Sequence, residues 1–221
     1  MPKNKLKRFS ENLTFPNFFQ PTIEEAVNGF HLKGKWSSGF FKNNNPVVLE
    51  LGCGKGEYTV ALARKYPDRN YIGIDIKGAR MWRGCKTSVE EGMTNVAFIR
   101  TRVDFISGFF EKDEVSEIWI TFPDPQPRKK QVKKRLTSPR FIDRYKQLLA
   151  PNGIIHLKTD NTEMYLFTLS IIEQEGYKLI YQTADLYDSG FEGDAVEVRT
   201  FYEEKFLKEG KAIKYIQFGI D

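Results

Sequence analysis

Val47-Val48-Leu49-Glu50-Leu51-Gly52-Cys53-Gly54-Lys55-Gly56, entered through Pro46, decides the fold. Its first five residues read as a short strand of buried type, and three glycines at alternate positions follow at once. Tyr58 to Lys65 has helical apolar spacing through Tyr58, Ala61 and Leu62, and Tyr66-Pro67-Asp68 stops it before a second strand, Tyr71 to Ile76. Strand, glycine turn, helix and strand are the opening unit of a doubly wound sheet.

The alternation continues outward. Ala79 to Glu91 reads as a helix ended by Gly92, Val96 to Arg100 as a strand, and Glu117 to Phe122 as a strand stopped by Pro123. Ser138 offers an N-cap, with Pro139 at the first position of a helix that runs to about Leu149. Strand Ile154 to Lys158, helix Thr162 to Glu175 closed by Gly176, strand Lys178 to Thr183, helix Val198 to Glu209 and strand Ile213 to Phe218 complete the order. The expectation is an α/β, Rossmann-like fold: a seven-stranded, mainly parallel sheet with helices on both faces. Ligands of such sheets bind beyond the carboxyl ends of the strands. One rim thereby collects Glu50 to Gly56, Asp75, Arg102, Asp104, Phe122 to Pro127 and Thr159-Asp160.

Composition bounds the function. The 221 residues are 40% hydrophobic and 29% charged, which suits a globular body with a sizeable core. Residues 1–45 read as a basic, aromatic N-terminal extension, and 46–221 as the main domain. No apolar run reaches the ~20 residues that cross a bilayer, and a cytoplasmic location without membrane contact is expected. Two cysteines, Cys53 and Cys85, and two histidines, His31 and His156, leave no basis for a metal centre or a histidine triad. The chemistry falls to carboxylates, glycines and cations. Oligomeric state is expected to be monomer or homodimer.

Charge is uneven. Lys3, Lys5, Lys7, Arg8 and then Arg128, Lys129, Lys130, Lys133, Lys134 and Arg135 place ten of the 34 basic groups in two stretches free of acid. The remaining 205 residues carry 24 basic against 29 acidic groups, so the net charge of +5 is local in origin. Such local fields attract polyanions.

The glycine turn is not a dinucleotide loop. In G-x-G-x-x-G the third glycine lets the helix lie close on the strand, and the helix start receives a pyrophosphate. Here that position is Glu57, whose carboxylate would repel a phosphate. Asp75, 23 residues after Gly52, is placed to accept hydrogen bonds from two ribose hydroxyls. A nucleoside without phosphates and with cationic groups fits, and S-adenosylmethionine is such a molecule.

Leu49 to Gly56 resembles the cofactor loop of class I methyltransferases. The second half narrows the resemblance: Ile120-Thr121-Phe122-Pro123-Asp124-Pro125-Gln126-Pro127, then Lys134-Arg135-Leu136, His156-Leu157-Lys158-Thr159-Asp160-Asn161 and Thr200-Phe201-Tyr202-Glu203 are similar to bacterial tRNA (guanine-N7)-methyltransferases. The resemblance implies methyl transfer from S-adenosylmethionine to N7 of guanine 46 in the variable loop of tRNA. It implies Glu50, Gly52, Gly54, Gly56, Asp75 and Asp124 as cofactor-side residues, with Asp124 also catalytic. Arg102 and Asp104 are counted on the cofactor side as well: Arg102 stands where the pattern has an acid, and Asp104, two residues on, is the acid that can substitute for it. Arg128, Asp160, Thr200, Phe201, Tyr202 and Glu203 are implied on the substrate side. Two further departures are Gln126 for a tryptophan and Arg128 for a lysine.

The chemistry agrees with the residue inventory. Guanine N7 carries an in-plane lone pair and no proton, so no general base is required. A carboxylate accepting from guanine N1 and the exocyclic amine would select guanine and stabilise the cation that forms, and Asp124 is the candidate. Lys129, Lys130, Lys133, Lys134 and Arg135 are expected on RNA phosphates. Two plain structural roles compete: Asp160 as a helix N-cap, and Thr200 with Glu203 as a capping box. The alternative functions are a small-molecule methyltransferase and a non-catalytic RNA-binding protein on the same fold. The six loop cations disfavour the first, and the intact glycine loop disfavours the second.

Overall fold

The computed structural model describes residues 3–220, with side chains from residue 5 onward, so the side chain of Lys3 lies outside the described residues. The strands are β1 (Phe18–Phe19), β2 (Val47–Leu51), β3 (Asn70–Asp75), β4 (Val96–Arg100), β5 (Val115–Thr121), β6 (Leu149–Thr159), β7 (Lys178–Thr183) and β8 (Lys214–Gly219). The helices are α1 (Lys3–Asn12), α2 (Ile23–Asn28), α3 (Glu57–Lys65), α4 (Gly78–Glu90), α5 (Pro139–Tyr145), α6 (Thr162–Glu175), α7 (Asp194–Glu197) and α8 (Phe201–Lys208).

All seven expected strands form one sheet, and the two-residue β1 adds an eighth at its edge, in the order β1-β4-β3-β2-β5-β6-β8-β7. β1 is too short to show an apolar period and exists because Phe18 pairs with Phe98 and Phe19 with Ile99 of β4. Strands β1 to β6 pair in parallel, while β8 runs antiparallel between β6 and β7. From β2 the chain steps outward through β3 and β4, then returns to pair β5 against the other edge of β2. The order reverses there, and a crevice opens between the diverging loops at the carboxyl ends of β2, β3 and β5.

The pleat divides the core in two. Leu49, Leu51, Ile72, Ile74, Ile118 and Ile120 point to one face, and Val48, Tyr71, Phe98, Trp119 and Tyr215 to the other, all 3% exposed or less. Phe30, Trp36 and Phe41 of the N-terminal segment fill the first face, and the Trp36 indole donates to the Phe109 carbonyl at 2.8 Å. On the second face α1 lies on α4, fixed by Asn12 Nδ2 donating to Gly78 O at 2.9 Å and by the Trp82 indole donating to Glu11.

Two helices are shorter than their patterns. The expected helix from Ser138 to Leu149 ends at Tyr145, because Leu149 already belongs to β6 and pairs with Val115. The one expected from Val198 starts at Phe201, where the Thr200 hydroxyl accepts from Glu203 N at 3.1 Å. Residues 129–134 coil into a 3-10 turn.

Candidate active site

The loop after β2 is built by backbone that only glycine adopts freely. Gly52, Gly54 and Gly56 have φ of 77°, 56° and 71°. A Cβ on Gly52 would meet nothing within 4 Å, and one on Gly54 only the Gly52 carbonyl at 4.0 Å, so both leave open space for a ligand. Gly56 serves packing. A Cβ there would lie 2.5 Å from the Phe98 ring and 3.3 Å from Gly84 Cα. The close approach of helix to sheet, made elsewhere by the third glycine of G-x-G-x-x-G, falls here to the pair Gly56 and Gly84.

Two carboxylates frame this loop. Asp75 accepts from Gly54 N through Oδ2 at 3.0 Å and from Lys77 N through Oδ1 at 2.8 Å. Each oxygen keeps a second lone pair, and the pair suits the two adjacent hydroxyls of a ribose. Glu50, 4% exposed, accepts from Thr59 N at 2.9 Å, from the Thr59 hydroxyl, and from the Thr121 hydroxyl at 2.7 Å. Burial pushes its carboxyl up to about 7 against the opposing pull of these donors. A bound cation would restore the charged form. The thiol of Cys53 is raised well above its ordinary value by burial and by Glu50 and Asp75, which leaves it an inert part of the turn.

A cavity of about 550 Å³ extends from this loop to the turn after β5 and to the start of α8. Glu50, Gly52, Gly54, Asp75, Asp124 and Asp160 all line it. Asp124 is exposed within a constrained turn: Phe122 and Gln126 on either side both have φ of 48°, and Asp124 Oδ1 accepts from Gln126 N at 3.0 Å. Non-glycine residues in the left-handed region persist only where the surroundings enforce them. Arg135 contributes that enforcement, donating through Nε to Pro125 O at 2.9 Å.

Arg135 corrects an expectation. Its side chain is 2% exposed, ion-paired with Glu163 and stacked 4.7 Å over the Phe167 ring, so it does not face RNA phosphates. Lys129, Lys130, Lys133 and Lys134 remain exposed, and Lys134 lines the cavity. Arg128 is exposed at the head of the 3-10 turn and does not line the cavity.

On the far wall, Asn161 and not Asp160 caps α6, accepting from Met164 N at 2.8 Å. Asp160 is left for the cavity, with Lys211 at 3.5 Å as its ion-pair partner. Thr200 and Glu203 form the complete capping box. Glu203 is fully buried, paired with the fully buried Lys158 at 2.7 Å, and accepts from the Tyr187 hydroxyl at 2.8 Å. It is therefore withdrawn from any ligand, because both oxygens are engaged inside the protein. Thr200 and Tyr202 do line the cavity, and Phe201 stays 55% exposed beside it with Lys55 Nζ 3.8 Å over its ring.

Arg102 and Asp104 lie apart from the cavity. Asp104 accepts from Arg102 and, at 2.6 Å, from Arg140 of α5, which turns both side chains toward the neighbouring helix. Ile76, 55% exposed, stands on the cavity wall instead.

Sequence reasoning missed Thr59, Thr121 and Lys158, whose parts are set by partners elsewhere along the chain. Thr121 stands within the motif that ends β5, yet the carboxylate it serves, Glu50, lies 71 residues earlier. His156 is a buried core histidine, with Nδ1 2.7 Å from the Tyr215 hydroxyl and its ring stacked on Trp119 at 3.9 Å. Among the described residues no group of three or more His, Cys, Asp or Glu could hold a metal, and no helix is long and apolar enough to cross a membrane.

Comparison with known proteins places this geometry. The profile of a family described as "Putative methyltransferase" matches residues 44–216. The chain is 56% identical over 220 residues to the tRNA (guanine-N(7)-)-methyltransferase of Christiangramia forsetii, covering 99% of this chain and 98% of that one. It is 50% identical to the enzyme of the same description from Bacteroides fragilis, over 99% of this chain and 86% of the relative. Among solved structures, the 16S rRNA methyltransferase KamB superposes with a TM-score of 0.63 at 14% identity, covering 82% of this chain and 91% of that one, a likeness of fold.

Proposed function

The chain belongs to the tRNA (guanine-N(7)-)-methyltransferase family, and we propose from that premise how its residues carry out methylation of tRNA guanine at N7 with S-adenosylmethionine as donor. The donor supplies an electrophilic methyl group on a sulfonium centre. The site fits it: open space at Gly52 and Gly54, two free lone pairs on Asp75 for ribose hydroxyls, and Glu50 as a buried carboxylate for a cationic group.

The observation that carries the mechanism is Asp124, held at the cavity mouth between Phe122 and Gln126. Its carboxylate accepts from guanine N1 and the exocyclic amine, which orients N7 and opposes the positive charge the ring acquires. No proton leaves N7, so no base is assigned. Alignment supplies much of the rate, since holding two reactants in the attacking geometry can contribute ~7 kcal/mol or more. Asp160, Thr200, Phe201 and Tyr202 form the substrate wall, with the two aromatic rings available to stack on an extruded base. Lys129, Lys130, Lys133 and Lys134, with Arg128, hold the flanking phosphates.

We assign the target as guanine 46 of the variable loop and the location as the cytoplasm. Incubation with tRNA and methyl-labelled S-adenosylmethionine, followed by chain scission at 7-methylguanine, tests this reading. One scission at position 46 is the expected result. Label at another base or another position overturns the assignment.

A further inference from the structure

We propose that α1 and the outer face of α4 form a second phosphate-docking surface for tRNA, across the cavity from the basic turn at 128–134; the proposal rests on the tRNA methyltransferase reading above. A groove of about 370 Å³ runs beside the cavity, lined by Arg8, Lys55, Glu57, Arg80, Trp82 and Arg83. Lys55, Glu57 and Arg80 line the main cavity as well, so the two hollows adjoin.

The arginines of this groove lack the ion pairs that several other surface arginines make. Arg64 is paired with Glu91, Arg69 with Glu117, and Arg102 and Arg140 with Asp104. Arg8, Arg80 and Arg83 are exposed, and none has a carboxylate within ion-pair distance among the described residues. The groove's acid is already engaged: Glu57 is paired with Lys55 at 3.5 Å and accepts from Phe201 N at 3.1 Å. Arg80 and Arg83 lie three residues apart and so share one face of α4.

The surface is also built to hold its shape. Trp82 donates its indole N–H to Glu11, and the Arg8 guanidinium lies 4.8 Å over the Trp82 ring. A guanidinium fixed on an aromatic face keeps its N–H fork free for a phosphate and loses little freedom on binding.

Position gives these groups their use. β3 and β5 flank β2, so the cavity has α4 on its β3 side and the turn at 128–134 on its β5 side. A base lodged in the cavity sends its strand out in both directions. The turn takes phosphates on one side, and the unpaired arginines of α1 and α4 are placed for those on the other. In sequence only Arg8 marks this surface, as part of the first acid-free basic stretch, because Arg80 and Arg83 lie outside both stretches.

The test is the variant Arg8→Gln/Arg83→Gln, neither residue of which lines the main cavity. tRNA binding is measured by fluorescence anisotropy across a potassium chloride series, beside steady-state methyl transfer. The logarithmic salt slope should become shallower by about 1.5, at ~0.7 to 0.9 for each phosphate no longer neutralised. The KM for tRNA should rise several-fold, with S-adenosylmethionine affinity unchanged. Arg83→Gln alone, with about half the slope change, carries the test should the double variant be unstable. A wild-type slope and KM in the variants overturn the second surface while methyl transfer by the wild-type enzyme upholds the function. Wild-type protein that binds tRNA without modifying it overturns the function, and the slope comparison still decides the surface.

Discussion

Arg135 Nε donates a 2.9 Å hydrogen bond to the carbonyl oxygen of Pro125, the residue that follows Asp124. The same guanidinium is fixed to α6 by Glu163 and by the Phe167 ring beneath it. The turn that carries Asp124, the proposed catalytic carboxylate, is therefore braced against a helix that itself begins at the cavity wall.

Arg135→Ala should lower kcat by about 10²-fold, the effect of a misplacement near 1 Å at a reacting centre. Arg135→Lys should recover only part of this, since an ammonium cannot reproduce the planar fork. The salt slope of tRNA binding should stay at the wild-type value in both. A flattened slope would return Arg135 to the phosphate contacts.

Asp124→Asn should reduce turnover by about 10²- to 10³-fold with the melting temperature unchanged, because the side chain is exposed and the amide keeps hydrogen-bonding capacity but loses the charge. Single-turnover methyl transfer with saturating tRNA is the measurement. Near-normal turnover would show that the negative charge is not needed.

Glu203 and Lys158 are both fully buried and joined at 2.7 Å. Glu203→Ala should destabilise the protein by about 3–5 kcal/mol, because it strands a buried ammonium. Adding Lys158→Met should restore much of the loss, as thermal melts would show. If the double variant were stable but lost tRNA selectivity, Glu203 would be a substrate contact after all.

The carboxyl of Glu50 is pushed up to about 7 by burial. A carboxyl raised on folding contributes stability that is complete below the ordinary value of 4.5 and lost as pH rises through about 7. Unliganded protein should accordingly lose stability from this group over that interval, by about 1.4 kcal/mol for each unit of the raised value. A cationic ligand favours the ionised form, so S-adenosylmethionine should bind more tightly as pH rises from 6 to 8. Glu50→Gln should flatten the dependence in calorimetry, and an unaltered pH profile in that variant would remove Glu50 from cofactor binding.

Periodicity and turn chemistry act over a few residues, so the seven strands, the glycine loop and the carboxylates at strand ends could be read directly from the chain. Gly52, Asp75, Asp124 and Asp160 meet in one cavity because parallel strands of regular alternation bring their carboxyl ends to one rim. Only the tertiary structure decided which charges face outward. Arg135 and the neighbouring Lys134 look alike in sequence, yet one is buried against Phe167 and the other lines the cavity. Glu203 turns inward to Lys158, 45 residues earlier, and Arg102 is drawn off by Asp104, which Arg140 also holds. The pairing of Phe18 with β4, the insertion of Trp36 into the core and the laying of α1 on α4 are likewise contacts between distant segments. Local pattern specifies which backbone forms. The partner of each polar side chain is set by what packing brings beside it, and a buried charge must find such a partner or be expelled.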